Sequence, residues 1–181
     1  EKYKESIFYF DKVLNFIPET HNLYSSAKEG RGIAHERMDN WKQAERDFLD
    51  SLRVQPDQPY VINYLAYSWI EKSMKINQSL KLLKKANELK KNDGYIVDSL
   101  GWAMFKLKKY NEANKYLQQA VSLMPADPIV NDHYGDSLWM NNKKIQARYY
   151  WGNVLKLEKA DNDLKKLVKK KLIMGIVKKT Q

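Results

Sequence analysis

The chain has 181 residues, 43% of them apolar, with seven Gly, five Pro and no Cys, a composition that suits one continuous helical body with short connections. The lack of Cys excludes disulfides, thiolate metal sites and cysteine nucleophiles while leaving cytoplasm and periplasm both open, and no run approaches the ~20 apolar residues that span a bilayer. The net charge of +10 sits mostly after residue 155, in a run that includes Lys165, Lys166, Lys169, Lys170 and Lys171, so the nearly neutral body is not expected to bind nucleic acid.

In chain order, residues 4–17 read as the second helix of an incomplete repeat, with Ser6, Phe10, Val13 and Pro18 at characteristic positions. Its first helix is missing and Glu1-Lys2-Tyr3-Lys4 has no signal-peptide core, so the chain is expected to be a fragment of a longer array. Partly bare Ile7, Phe8 and Phe10 then predict self-association through the N-terminal edge. Four repeats follow, at 25–58, 59–93, 94–127 and 128–161. Gly32, Ala66, Gly101 and Gly135 recur 34 or 35 positions apart, as do Ala44, Ser79, Ala113 and Ala147, and again Phe48, Leu83, Leu117 and Trp151. Each unit therefore reads as two helices, A and B, crossing at small residues. The second is one residue longer, and Lys72 to Gln78 is where a turn would absorb the extra residue. A last helix is predicted from Asn162 to Val177 within a capping segment 162–178. Asp161 is its N-cap, Leu164, Leu167, Val168 and Leu172 form its apolar stripe, and Lys165, Lys166, Lys169 and Lys170 are its solvated face.

These registers resemble the tetratricopeptide repeat (TPR) family, whose period is ~34 residues with small residues where two helices cross. The resemblance implies an all-α solenoid, a right-handed superhelix of helix-turn-helix repeats with a C-terminal capping helix, presenting a concave binding surface. The strings Asn63-Tyr64-Leu65-Ala66-Tyr67, Asp98-Ser99-Leu100-Gly101-Trp102 and Asn131-Asp132-His133-Tyr134-Gly135-Asp136 are similar to those of bacterial TPR proteins. Some of these are exported or lipid-anchored, and some act as adaptors for envelope proteases.

In the family's register the small residue is position 8, and positions 2, 5, 9 and 12 share one stripe of helix A. That stripe holds Ser26, Glu29, Ile33 and Glu36; Tyr60, Asn63, Tyr67 and Ile70; Tyr95, Asp98, Trp102 and Phe105; and Ile129, Asp132, Asp136 and Trp139, bordered by Tyr64 and His133. The expected peptide-binding groove, aromatic and acidic, is Tyr60, Asn63, Tyr64, Tyr67, Tyr95, Asp98, Trp102, Phe105, Asp132, His133, Asp136 and Trp139. Aromatics supply large contact area with polar handles. Asn63 pairs with peptide backbone, and the carboxylates favour a cation or N–H donors. Tyr64, Tyr67, Trp102, Phe105 and Trp139 are equally suited to packing against the next repeat. At least part of the acidic row is expected to face solvent or ligand, because an unpaired buried carboxylate is costly. Positions 2 and 5 lack the cations that clamp a terminal carboxylate elsewhere in the family.

The sequence has no phosphate loop, nucleophile elbow or acid/base pair, and its three His form no metal set. No enzyme activity, cofactor or metal is expected. The leading reading is a non-catalytic scaffold or adaptor that binds a protein or peptide. The alternatives are an assembly module of a longer superhelix that self-associates, and electrostatic docking of an anionic partner on the Lys165 to Lys171 face.

Overall fold

The computed structural model describes residues 2–176, which form ten α-helices and, among the described residues, no strand. The first compact unit, ending at Lys90, contains α1 (Lys2–Phe16), α2 (Tyr24–Arg37), α3 (Trp41–Val54), α4 (Pro59–Glu71) and α5 (Ile76–Leu89). The second, from Lys91, contains α6 (Gly94–Lys106), α7 (Tyr110–Leu123), α8 (Pro128–Met140), α9 (Lys144–Lys156) and α10 (Asn162–Met174). The A helices are α2, α4, α6 and α8, and the B helices are α3, α5, α7 and α9. Among the described residues, no helix is long and apolar enough to cross a membrane.

The turns between A and B helices share one geometry. In Met38–Asn40, Leu107–Lys109 and Asn141–Lys143 the middle residue, Asp39, Lys108 or Asn142, has a left-handed φ of 57°, 61° or 65°. The next N–H reaches back five residues, from Asn40 to His35, Lys109 to Met104 and Lys143 to Leu138, at 2.9 Å each. This closes the helix end. The extra residue of the second repeat falls in the corresponding turn, Lys72–Lys75, where Ser73 and Lys75 both take positive φ. A loop lengthens at little entropic cost, so the helices on either side keep their register.

Small residues let A and B helices touch. A Cβ built on Gly32 would lie 2.8 Å from the Phe48 ring, and one on Gly101 would lie 2.7 Å from Leu117 and 3.1 Å from its backbone nitrogen. The first unit's core joins Ala44, Phe48, Val61, Leu65 and Trp69. Equivalent positions Ala113, Leu117, Ala147 and Trp151 are fully buried in the second.

The terminal helices differ from those between them. No residue of α1 is buried, and Phe16 is 93% exposed. Helix α10 begins at Asp161, whose carboxylate accepts the Leu164 N–H at 2.8 Å, as its N-cap position predicts. It ends at Met174 with Gly175 at φ +72°. The predicted continuation through Val177 lies outside the described residues, as does Glu1.

Candidate functional site

In the first unit the A-helix stripe is partly open. Tyr60, at the start of α4, is exposed; its hydroxyl accepts a hydrogen bond from the Lys90 ammonium, which also lies 4.1 Å from the ring centroid. Asn63, Tyr64 and Tyr67 are half-buried. Tyr64 stacks on Phe48 at 6.1 Å and so shares in the core. Asn63 is different: its side-chain oxygen Oδ1 is out of water and has no hydrogen-bond partner. Buried acceptors are seldom left so. On α2, burial raises the carboxyl of half-buried Glu29 above its ordinary pKa.

Beside that stripe lies an ion cluster that the sequence reading did not single out. Arg31 binds Asp47 through Nε and Nη2, both at 2.7 Å, and Asp11 through Nη1 at 2.6 Å. Lys28 reaches Asp50 at 2.7 Å and Asp47 at 3.2 Å. Asp47 is 2% exposed. Burial works against the Lys28 ammonium, but Asp50 and Asp47 outweigh it and raise its pKa. The cluster ties α1, α2 and α3 together.

In the second unit Tyr95 is exposed, while Asp98, Trp102, Asp132, His133 and Asp136 are buried and Phe105 and Trp139 half-buried. The carboxylates there are held by other parts of the chain. His133 Nδ1 is 2.9 Å from Asp98 Oδ2, and the His133 ring stacks on Trp102 at 3.9 Å, with Phe105 on Trp102 at 4.7 Å. Lys171 Nζ, from α10, donates to both oxygens of Asp132 and both of Asp136 at 2.7–2.8 Å. The Trp151 indole N–H adds a bond to Asp136 at 3.0 Å. Trp139 is covered by Gly175, whose backbone comes so close that a Cβ would overlap the indole. Lys144 and Arg148 also lie over that ring, at 3.9 and 4.9 Å from its centroid.

The electrostatics follow from burial. Burial pushes Asp136 up, the neighbouring Asp132 charge adds to this, and Lys171 opposes both, leaving a pKa of about 6. For His133, burial alone would lower the pKa; the Asp98 charge and hydrogen bond, helped by Asp132 and Asp136, reverse that and raise it. Lys171 is likewise raised by Asp136 and Asp132 against its own burial. Among the described residues no group of three His, Asp or Glu is placed to hold a metal ion.

Lys171 is the residue that sequence reasoning placed differently, in a face offered to an anionic partner. Lys166, Lys169 and Lys170 of that run are exposed, but Lys171 points inward. A signal existed: the 34-residue period carries on from Pro128, the start of α8, to Asn162, the start of α10.

The tetratricopeptide repeat family matches residues 97–127, which cover most of α6 and all of α7. A TPR repeat-containing protein of Pseudomonas aeruginosa is 28% identical over 96 residues, 53% of this chain and 16% of that protein, so the match spans a small part of that relative's length. Solved structures of the same fold include PilW, a type IV pilus biogenesis factor. Its TM-score is 0.78 at 15% identity, over 94% of this chain and 76% of that one. MamA from Desulfovibrio magneticus RS-1 has a TM-score of 0.71 at 16% identity, over 88% of each chain. YrrB, described as a TPR protein with an unusual peptide-binding site, has a TM-score of 0.66 at 17% identity, over 93% and 84%. At these identities the fold is what is shared.

Proposed function

The chain is a tetratricopeptide-repeat protein, and from that premise we propose that it is a non-catalytic scaffold that holds a protein or peptide segment on its A-helix stripes, with Asn63 at the centre of the site in the first unit. The observation that carries this is the lone Asn63 Oδ1, set among Tyr60, Tyr64 and Tyr67. A buried acceptor without a donor costs ~1–3 kcal/mol, which is regained when the Asn63 side chain turns to bring Oδ1 to a peptide N–H. The amide NH2 of the same side chain donates to a peptide carbonyl, so one residue reads backbone in both directions. Tyr60 and Tyr67 add contact area with few rotatable bonds. YrrB, which shares the fold, is described as binding peptide, and this supports the same use here.

The test is capture from a lysate of the source cell, envelope fraction included, by wild type and by Asn63→Leu, with circular dichroism to verify folding. Leu has the branching and the number of side-chain heavy atoms of Asn and a higher helix propensity, so the helix should persist. Partners lost with the folded variant support the site; identical partner lists reject it.

The exposure of Phe16 and of Phe8 and Tyr9 on α1 favours a second reading, self-association through that helix. Sedimentation of wild type and Phe16→Lys separates it: mass that rises with concentration in wild type alone supports assembly, and a strict monomer rejects it.

A further inference from the structure

Lys171 is seated as a ligand would be. Its ammonium meets four carboxylate oxygens at 2.7–2.8 Å, and the side chains of Asp132 and Asp136 are 8% and 9% exposed. Two carboxylates this close and this dry repel each other unless a cation lies between them. A third acceptor belongs to the same stripe: Asp98 gives Oδ2 to His133, but its buried Oδ1 has no partner. The stripe of the second unit therefore offers more anionic acceptor capacity than α10 fills.

The helix that brings Lys171 is lightly held. Among its described residues only Val168 is buried, and Ile173 and Met174 lie largely in solvent. It is also attached through the half-buried Leu164 and Leu172, through the Leu172 carbonyl, which accepts from Arg148 Nε at 3.3 Å, through Lys171 Nζ at 5.9 Å from the Trp151 ring centroid, and through Gly175 against Trp139. Elements with few buried apolar contacts open at a small fraction of the global unfolding free energy.

We propose that the Asp132/Asp136 pair is a site for a lysine side chain presented on a helix, that Lys171 occupies it in cis, and that a partner's lysine-bearing amphipathic helix displaces α10 to take its place. This rests on the reading that the A-helix stripes bind protein segments, and it names the ligand for the second unit. The chemistry selects lysine over arginine. A compact ammonium fits between two carboxylates that are both buried, whereas the larger planar guanidinium of Arg31 spans Asp47 and the half-exposed Asp11 and needs more room than the Asp132/Asp136 pair leaves. The resident helix also shows the pattern a competitor needs: an apolar residue at Val168, the lysine three positions on, and a small residue at Gly175 to lie flat on Trp139.

The experiment uses the full chain carrying Lys171→Gln, which empties the site, and a labelled peptide spanning residues 160–176. Binding is read by anisotropy and by the shift in melting temperature. The wild-type peptide should bind this variant roughly tenfold or more tightly than it binds the wild-type chain, where the tethered helix competes at high effective concentration. It should also raise the variant's melting temperature, so partial unfolding caused by the empty site remains readable. Peptides with Gln or Arg in place of Lys171 should bind roughly tenfold or more weakly. Adding Asp132→Asn and Asp136→Asn to the variant should abolish the preference for lysine. Equal affinity for the Lys, Gln and Arg peptides, or no binding at all, overturns the inference. Since Asn63→Leu tests the first unit separately, lysine-peptide failure alongside Asn63-dependent capture rejects the lysine site and leaves the scaffold reading standing.

Discussion

His133 Nδ1 lies 2.9 Å from Asp98 Oδ2, joining two A helices of the second unit through a pair that is almost wholly out of water. Removing one partner strands the other. Asp98→Ala should destabilise the second unit by about 1–3 kcal/mol, the cost of an unsatisfied polar group, and lower the His133 pKa, because burial then acts on the imidazole without the opposing Asp98 charge. Urea unfolding and imidazole titration by NMR measure the two effects. Asp98→Leu with His133→Leu should lose less than the two single changes added together; strict additivity would mean that the pair is not coupled.

The same cluster sets a dependence on pH with a definite sign. The charged or titrating groups that meet there are Asp98 on α6, Asp132, His133 and Asp136 on α8, and Lys171 on α10, with the neutral Trp151 N–H from α9. Asp136 has a folded pKa of about 6 against an ordinary 3.8. Between those values the folded state holds a proton that the unfolded state has released, so stability falls as pH rises from about 4 to 6. His133, raised above 6.5, contributes stability that is present below 6.5 and lost as pH climbs through its folded value. Both push the same way. The melting temperature of the second unit should therefore be higher near pH 5.5 than near pH 8, and Asp136→Asn should flatten the part of the curve between pH 4 and 6. A maximum at pH 8 would contradict both assignments.

The helix crossings were legible in the sequence because packing imposes them. Gly101 cannot grow against Leu117, nor Gly135 against Trp151, so small and large residues recur in step with the period. The acidic row was legible as a row but not as a buried one. The partners of its members lie about one repeat further on, at separations of 35 from Asp98 to His133, 35 from Asp136 to Lys171 and 39 from Asp132 to Lys171. Within one repeat, Asp98 looks like a ligand contact; one period later its counter-ion appears. Lys171 was hidden for a second reason. It adjoins Lys169 and Lys170, and only the phase of α10 separates an inward lysine from solvated ones. Asn63 was legible as a residue type suited to peptide backbone, whereas its unpartnered oxygen is a property of the packed helices.

In the first unit, Asp47 is the hinge of a cluster that also holds Lys28, Arg31, Asp11 and Asp50. It serves two cations from a position 2% exposed. Asp47→Ala would leave the Arg31 fork and the Lys28 ammonium short of their shared anion, so a loss of about 3–5 kcal/mol is expected. Arg53 and Glu19, paired at 2.9 Å on the surface, give the contrast: Glu19→Ala should move the unfolding midpoint far less than Asp47→Ala does. Raising the salt concentration should weaken the surface pair and leave the buried cluster nearly unchanged. Equal losses for Asp47→Ala and Glu19→Ala in chemical denaturation would show that burial does not govern the cluster.

Two glycines in neighbouring A and B helices should respond to the same substitution with opposite signs. On Gly135, in α8, a Cβ would come within 2.5 Å of the Trp151 Cδ1 and Nε1 atoms, and Trp151 is fully buried, with its N–H committed to Asp136. The ring cannot retreat without breaking that bond, so Gly135→Ala should cost about 1–3 kcal/mol through overpacking. On Gly152, within α9, a Cβ would meet nothing within 4 Å. There the change removes only the conformational freedom of glycine in a helix, so Gly152→Ala should stabilise by roughly 0.5–1 kcal/mol. Thermal unfolding of the two variants, followed by circular dichroism, reads both signs. Gly135→Ala should also disturb tryptophan fluorescence and reduce the hold on Lys171, since Asp136 binds Trp151 and Lys171 together. If both variants stabilise, Trp151 has room to move, and the A–B crossing in the last repeat is not packed to contact.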